Sequence, residues 1–307
     1  MKTSTIILAP FLTTVLMGLS CSLFPKPESF IEMLPRDTDL PGWVISKQAG
    51  VYAGKEIQLV CPDYTRYDPL ILARAEYHYL SDINKTIRVE VLGFGSSLDS
   101  FGLYSLERGW DTANRFSDDN DYITEKGRYS RLGNFYVKID GENLGERRDG
   151  TLDQFHAVVF RNLKRHVNDD SFPSEMFLFS DDRSTRETVF YKKGIPAIPG
   201  SKNLYVTRRN MLEKKYKIFY MKRSSVYDSE HEFHGILKSG GGSFMLSKIG
   251  NLEAALLIMT VKEYLFISYY KHWIFGVLDA ENMIVGNTII TVLFDELKAR
   301  AYALHNR

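Results

Sequence analysis

Strand-like and helix-like segments follow one another in the same order in the two halves of this chain, and that internal repetition limits the possible folds more than any other feature. In the first half, RAEYHYL and KTIRVEVLGFG are β-rich runs around a polar turn at Ser81 to Asn84, and SSLDSFGLYSLE reads as a short helix. In the second, EFHGILKS and SFMLSKIG flank Gly240 to Gly242, and NLEAALLIM is expected as the matching short helix. Oxygen-bearing caps fit both helices: Ser96 or Ser97 ahead of Leu98-Asp99, and Asn251 ahead of Leu252-Glu253. GRYSR and FYVKI then flank Gly133-Asn134, as YLFISY and WIFGVL flank Lys271-His272. Each half closes in a long helix. Thr151 and Gln154 form a capping box for a stripe of Leu152, Phe155, Val159 and Leu163, and the last helix carries Ile290, Leu293 and Leu297 with Asp279 or Asn287 as its cap.

The implied unit is strand, strand, short helix, strand, strand, long helix. Two tandem repeats of it give an α+β fold of antiparallel sheets, each packed on a helix. The first unit is expected over residues 41–168 and the second over 201–307, with a linker at 169–200 that turns Pro-rich and Gly-rich at KKGIPAIPGSK. A chain of 307 residues, 44% hydrophobic, has the material for two such cores.

The amino-terminal 20 residues have another character. Lys2 precedes Ile6 to Leu19, a charge-free apolar run too short to span a bilayer comfortably, as in an export leader. Ser20 and Cys21 end it in a way that resembles a bacterial lipoprotein leader, cut ahead of a lipidated cysteine, although Gly18 stands where that pattern has Leu. An ordinary secretory leader or an uncleaved membrane segment is the alternative. On the lipoprotein reading, residues 1–20 are a signal peptide, Cys21 carries the lipid, and 21–40, with Pro25 and Pro27, form an extended tether. There are 2 cysteines, so lipidation of Cys21 leaves Cys61 a lone buried thiol and the core without a disulfide. The expected location is the bacterial cell envelope, anchored to a membrane and facing the periplasm or the cell surface.

The stretch GSSLDSFGLYSLERG, with LPGWVISKQAGVYAGKEI upstream and the strand Phe135 to Ile139, resembles a family of bacterial exported proteins and lipoproteins that has no assigned function. The similarity spans most of residues 30–168 and, more weakly, the second half. It implies the α+β architecture and the envelope setting, with Phe101, Gly102 and Tyr104 as packing residues. It supplies no catalytic residue, and thus no substrate.

Motifs for specific chemistry are weak. GFGSSLD lacks the second glycine of a nucleophile elbow, so its serines read as helix caps, and no GxxxxGK[ST] loop occurs. KSGGGSF reads as a flexible hairpin turn. In EHEFH, a strand would turn His231 and His234 to opposite faces, which argues against a metal site. SDDND at 117–121 lacks the glycine and terminal Glu of a calcium loop, and Asp181-Asp182 reads as solvated linker. No cofactor or metal is expected. Overall charge is +1, yet twelve basic residues between Arg183 and Arg223 face only Glu187 and Glu213. Lys192, Lys193, Arg208 and Arg209 are therefore the candidate residues for an anionic envelope component or envelope protein, although KYKIFYMKR also fits a half-exposed strand. Nucleic acid is not an expected partner for an exported chain. The expected function is that of a noncatalytic, lipid-anchored binding or assembly module; the alternative is an envelope enzyme, hydrolytic or metal-dependent, with a site assembled from dispersed residues.

Overall fold

The structure, a computed structural model, describes residues 27–110, 113–167, 171–180, 185–239, 244–249, 252–260 and 263–305. Alternation of side chains across β-rich runs produces the first sheet: in ILARAEYHY, Ala73, Ala75 and Tyr77 point to one face and Arg74 and Glu76 to the other. The chain begins with α1 (Pro27–Phe30) and a tight turn (Ile31–Met33), then β1 (Trp43–Ala53), α2 (Lys55–Val60), a second tight turn (Pro62–Arg66), β2 (Ile71–Tyr79) and β3 (Asp82–Gly93). There follow α3 (Ser97–Arg108), β4 (Arg115–Asp118), β5 (Asp121–Ile123), β6 (Gly127–Leu132), β7 (Phe135–Glu142) and α4 (Arg148–Leu163). These strands make one antiparallel sheet in the order β1-β2-β3-β7-β6-β5-β4.

The rest of the chain supplies β8 (Thr188–Tyr191), β9 (Leu204–Met211), β10 (Lys214–Lys222), α5 (Val226–Ser239), β11 (Met245–Ile249), β12 (Leu252–Thr260), β13 (Glu263–Tyr270), β14 (Trp273–Ala280) and α6 (Met283–His305). Its antiparallel sheet runs β11-β12-β13-β14-β10-β9-β8. The architecture is therefore α+β with two antiparallel sheets.

Helices cover the apolar faces. On the first sheet, Ala73, Tyr77, Val89, Val91, Val137 and Ile139 pack with Leu152, Phe155, Val159 and Leu163 of α4. Phe155 meets Trp43 and Tyr77 edge-on at 5.3 and 5.1 Å; each such fully buried side chain contributes about 1.5–3 kcal/mol. On the second sheet, α6 lays Ile289, Ile290, Leu293 and Leu297 over the face carrying Ile218, Phe266, Phe275 and Val277. The opposite face, with Phe219, Met221, Ile267 and Ile274, receives Phe233 and Ile236 of α5.

Helix α3 joins the two sheets, touching β6 and β7 on one side and β8 on the other. Its Gly102 is required for a close approach, since a Cβ there would lie 2.1 Å from the ring of Tyr67. The Tyr67 hydroxyl passes this point and donates to the carbonyl of Phe190 at 2.5 Å, while the Phe190 amide donates to Ser105 Oγ at 3.1 Å and Arg108 Nη2 donates to the Thr188 carbonyl at 2.7 Å.

Several sequence expectations change. EFHGILKS is helical, the end of α5, because Ser225 accepts from the Asp228 amide at 3.0 Å and starts a helix whose Phe233 and Ile236 face inward. NLEAALLIM contains strand β12, not a helix: flanked by β11 and β13, its helix-favouring Ala and Leu are overridden by pairing. Asn251 lies outside the described residues. Ser96 does cap α3, accepting from the Asp99 amide at 3.1 Å. Helix α4 starts at Arg148, so Thr151 lies within it and its hydroxyl donates to the Arg147 carbonyl at 3.0 Å. Helix α6 is capped by Asn282, which accepts from the Val285 amide at 3.0 Å, and by neither Asp279 nor Asn287. Each sheet has more strands than the four expected per unit. Residues placed in the tether pack into the first core from Phe30 onward, with Met33 and Leu34 buried, and the expected linker contributes buried Met176, Phe179 and strand β8. Cys21 and the leader lie outside the described residues, as do Asp181-Asp182 and Gly240 to Gly242. Among the described residues no helix is long and apolar enough to cross a membrane.

Candidate functional site

Strand register aligns a line of unlike side chains across the first sheet. Arg74 on β2 pairs with Glu90 on β3, Glu90 with Lys138 on β7, Lys138 with Tyr129 on β6, and Tyr129 with Tyr122 on β5. All five project from the face opposite α4.

At the β2 end the row is buried. Glu90 is 3% exposed, and Arg74 holds it through Nε at 2.7 Å and Nη2 at 2.5 Å. The tight turn Pro62–Arg66 brings in the Tyr64 hydroxyl, which donates to the other Glu90 oxygen at 2.6 Å, and Arg74 Nη2 also donates to Cys61 Sγ at 2.6 Å. Toward β6 the row opens. Lys138 Nζ lies 2.9 Å from a Glu107 oxygen, 4.9 Å from the Tyr64 ring centre and 6.0 Å from that of Tyr129. Tyr136 donates to Glu107 at 2.8 Å, and Tyr129 donates to Asp140 Oδ1 at 2.5 Å. The rings of Tyr122 and Tyr129 stack at 5.0 Å and 20°. Lys138, Tyr129, Tyr122, Glu107 and Asp140, together with Asn114, Thr124 and Arg88, line a groove of about 1070 Å³, and Arg74, Glu90 and Tyr64 lie outside that lining.

Electrostatics fix the protonation of several of these groups. Burial, and then the Glu90 charge, push the Cys61 thiol above its ordinary value and push the Tyr64 phenol far above it, so both stay protonated. Burial and then Asp140 do the same to Tyr129. Burial acts against the Arg74 charge, but Glu90 outweighs it and holds Arg74 above its ordinary value. The row therefore offers fixed donors and acceptors, without a nucleophile activated by a base.

The sequence-derived candidates fall elsewhere. Lys192 pairs with Asp99 at 3.0 Å and Asp68 at 3.4 Å, and Lys193 with Asp68 at 3.5 Å. Arg208 lies 3.7 Å from Glu187 and stacks over Trp110, and Arg209 grips Glu296 at 2.8 and 2.9 Å. Each of the four meets a carboxylate, three of them from elements distant in sequence, so they do not gather into an open cationic face. His231 and His234 share one face of α5 instead of opposing each other, and with Tyr227 and Glu230 they line a cavity of about 730 Å³. Among the described residues no Ser, Thr or Cys lines it, and no group of three or more His, Cys, Asp or Glu side chains could hold a metal. The SDDND acids are also occupied: Asp121, 4% exposed, accepts from Ser130 at 2.6 Å and from Ser117 and Arg128, and Asp119 pairs with Arg186 at 2.9 Å.

Sequence reading missed Arg74, Glu90, Glu107, Lys138 and Asp140. One signal was present: Glu90 in IRVEVLG and Arg74 in ILARAEY interrupt apolar strands that are covered on both sides. Comparison with protein-family models, curated proteins and solved structures found no match to this chain.

Proposed function

We propose that this chain is a noncatalytic binding protein of the bacterial cell envelope, anchored by lipid at Cys21, in which two copies of one α+β unit have diverged. The first unit holds the ligand groove and the second is its scaffold. Three correspondences support the duplication. Read from β1 and from β8, the strand orders coincide, 1-2-3-7-6-5-4 against 8-9-10-14-13-12-11. The Phe94 amide donates to the Asn134 carbonyl at 2.9 Å, and the Arg223 amide to that of His272 at 2.7 Å. Ser100 on α3 donates to the carbonyl of Gly133 at the β6–β7 turn, and Ser229 on α5 donates to that of Lys271 at the β13–β14 turn.

Those anchors put the two sheets in register. Glu90 stands four residues before Phe94 and Phe219 four before Arg223; Lys138 follows Asn134 by four and Gly276 follows His272 by four. The row Arg74–Glu90–Lys138–Tyr129–Tyr122 then corresponds to Val206–Phe219–Gly276–Ile267–Ala255, paired in the same way. The fold thus tolerates an apolar row at these positions. A buried ion pair is commonly no more stabilising than apolar residues of similar volume, so the polar version is not explained by stability. That contrast carries the functional reading: the polar row is kept for recognition.

The test is binding of detergent-solubilised envelope material to the purified mature chain. The paired change Glu107→Ala/Lys138→Ala is expected to abolish capture while the second unit's His231→Ala leaves it intact. Equal capture by all three proteins rejects the groove. Metabolic lipid labelling that survives Cys21→Ser rejects the anchor.

A further inference from the structure

Resting on the groove as the binding site, we infer that its ligand is a neutral, polyhydroxylated chain, an oligosaccharide. Charge comes first. The groove is lined by Arg88, Lys126 and Lys138 on the positive side and by Glu107, Glu125, Asp140 and Glu142 on the negative, a near balance that favours neither a polyanion nor a polycation. Two of the cations are already held, Arg88 by Glu76 at 3.2 Å and Lys138 by Glu107 at 2.9 Å, so an anionic ligand would have to displace a carboxylate from each.

Hydrogen-bonding capacity comes next. Tyr129 spends its proton on Asp140 Oδ1, leaving Asp140 Oδ2 with no bond to a described residue. Asn114 donates through Nδ2 to the Arg108 carbonyl at 2.9 Å, leaving its Oδ1 as an acceptor. The groove therefore presents acceptors in want of O–H donors beside the Tyr129 ring, which is 8% exposed and has the buried Tyr122 stacked on it. A sugar supplies both partners, hydroxyl donors at its rim and C–H faces for aromatic rings. An apolar ligand would leave these acceptors desolvated and unpaired, at about 1–3 kcal/mol each. At about 1070 Å³ the groove is larger than most small-molecule pockets, which span about 300–1,000 Å³, so it suits a chain of rings more than a single one.

The experiment presents the mature chain to an array of neutral, acidic and amine-bearing oligosaccharides, with spermine as a separate cationic probe. Neutral oligosaccharides are expected to bind, with affinity unchanged between about 50 and about 500 mM salt. Asp140→Asn should weaken them about tenfold, and Lys126→Trp, which fills the exposed rim without touching the core, should block them. Melting curves of both variants show that they remain folded. Preference for spermine or acidic glycans, or binding that fades with salt, overturns the ligand class; if Lys126→Trp also blocks that binding, the groove itself stands. Binding of no array member, with envelope capture still lost in Glu107→Ala/Lys138→Ala, likewise overturns the class alone. Envelope capture indifferent to both groove changes overturns the site and the ligand together.

Discussion

On the proposed duplication Glu90 and Phe219 are counterparts in the two sheets; both are buried, yet one is a carboxylate gripped by an arginine and the other a phenyl ring lying over Gly276. In the second sheet the arrangement is purely steric. A Cβ on Gly276 would sit 2.5 Å from the Phe219 ring and 1.9 Å from the Phe266 carbonyl, so the glycine is what admits the ring. In the first sheet Lys138 fills the corresponding position and reaches Glu107 on α3. On that proposed correspondence one backbone supports two solutions, a close-packed row and a polar one, and Lys138, Tyr129 and Tyr122 of the polar row line a groove.

The widest separation between the two solutions is expected on exchanging one residue. Phe219→Glu would put a carboxylate where Val206 stands in place of Arg74, with no cation opposite; a loss of about 4 kcal/mol or more is expected in denaturant titration, enough to unfold a marginal domain. A loss below about 1 kcal/mol would mean that the second sheet has a hidden partner for the charge.

Next in size is the reverse change. Glu90→Leu keeps the volume but strands Arg74 and the Tyr64 hydroxyl, with an expected loss of about 3 kcal/mol. Adding Arg74→Val should recover most of it, because the double variant approaches the Val206–Phe219 arrangement. Groove binding should not recover with it. Independent losses that simply add would show that the pair is not a unit.

A third difference is in the response to acid. His156 on α4 stacks against Phe160 at 4.0 Å and lies near Arg128; burial first, and then that cation, lower its value to about 4. Unfolded histidine takes a proton near pH 6.5, so the unfolded chain binds more protons between pH 6.5 and about 4, and stability falls as pH falls through that window. His156→Phe should remove about 3 kcal/mol of that acid loss. Stability curves of the two proteins that run parallel from pH 7 to pH 4 would mean that His156 takes up its proton as readily in the fold as in the unfolded chain.

Legibility followed the range of the interactions. The hairpins β2–β3, β6–β7 and β13–β14 are written locally, as alternation on either side of a turn, and were readable. Strand β12 was not, because its Ala-Leu composition favours helix until neighbours claim its backbone. Helix α5 was misjudged because its cap, Ser225, lies upstream of the segment read as a strand. The groove was the least legible part. Arg74, Glu90, Lys138, Tyr129 and Tyr122 come from five strands, and only register lines them up. The basic segment shows the same limit: a local excess of lysine and arginine says nothing of Asp68, Asp99 and Glu296, which arrive from elsewhere in the fold.

The smallest expected effect bears on the duplication itself. The single hydroxyl proton of Ser100, and likewise that of Ser229, is within reach of two carbonyls, the one three residues back on the same helix and the one at the hairpin turn below. Such a hydroxyl stabilises by about 1 kcal/mol net, and removing it leaves a turn carbonyl unsatisfied. Ser100→Ala and Ser229→Ala should therefore cost nearly the same, and the double variant should cost their sum, since the two anchors sit over different sheets and share no partner. Their agreement would show that the helix-to-turn anchor does the same job beneath a charged row and beneath an apolar one, so the divergence lies in the row alone. A several-fold disparity would mean that the anchors are unequal, and the residue correspondence built on them, Glu90 with Phe219 and Lys138 with Gly276, would lose its support.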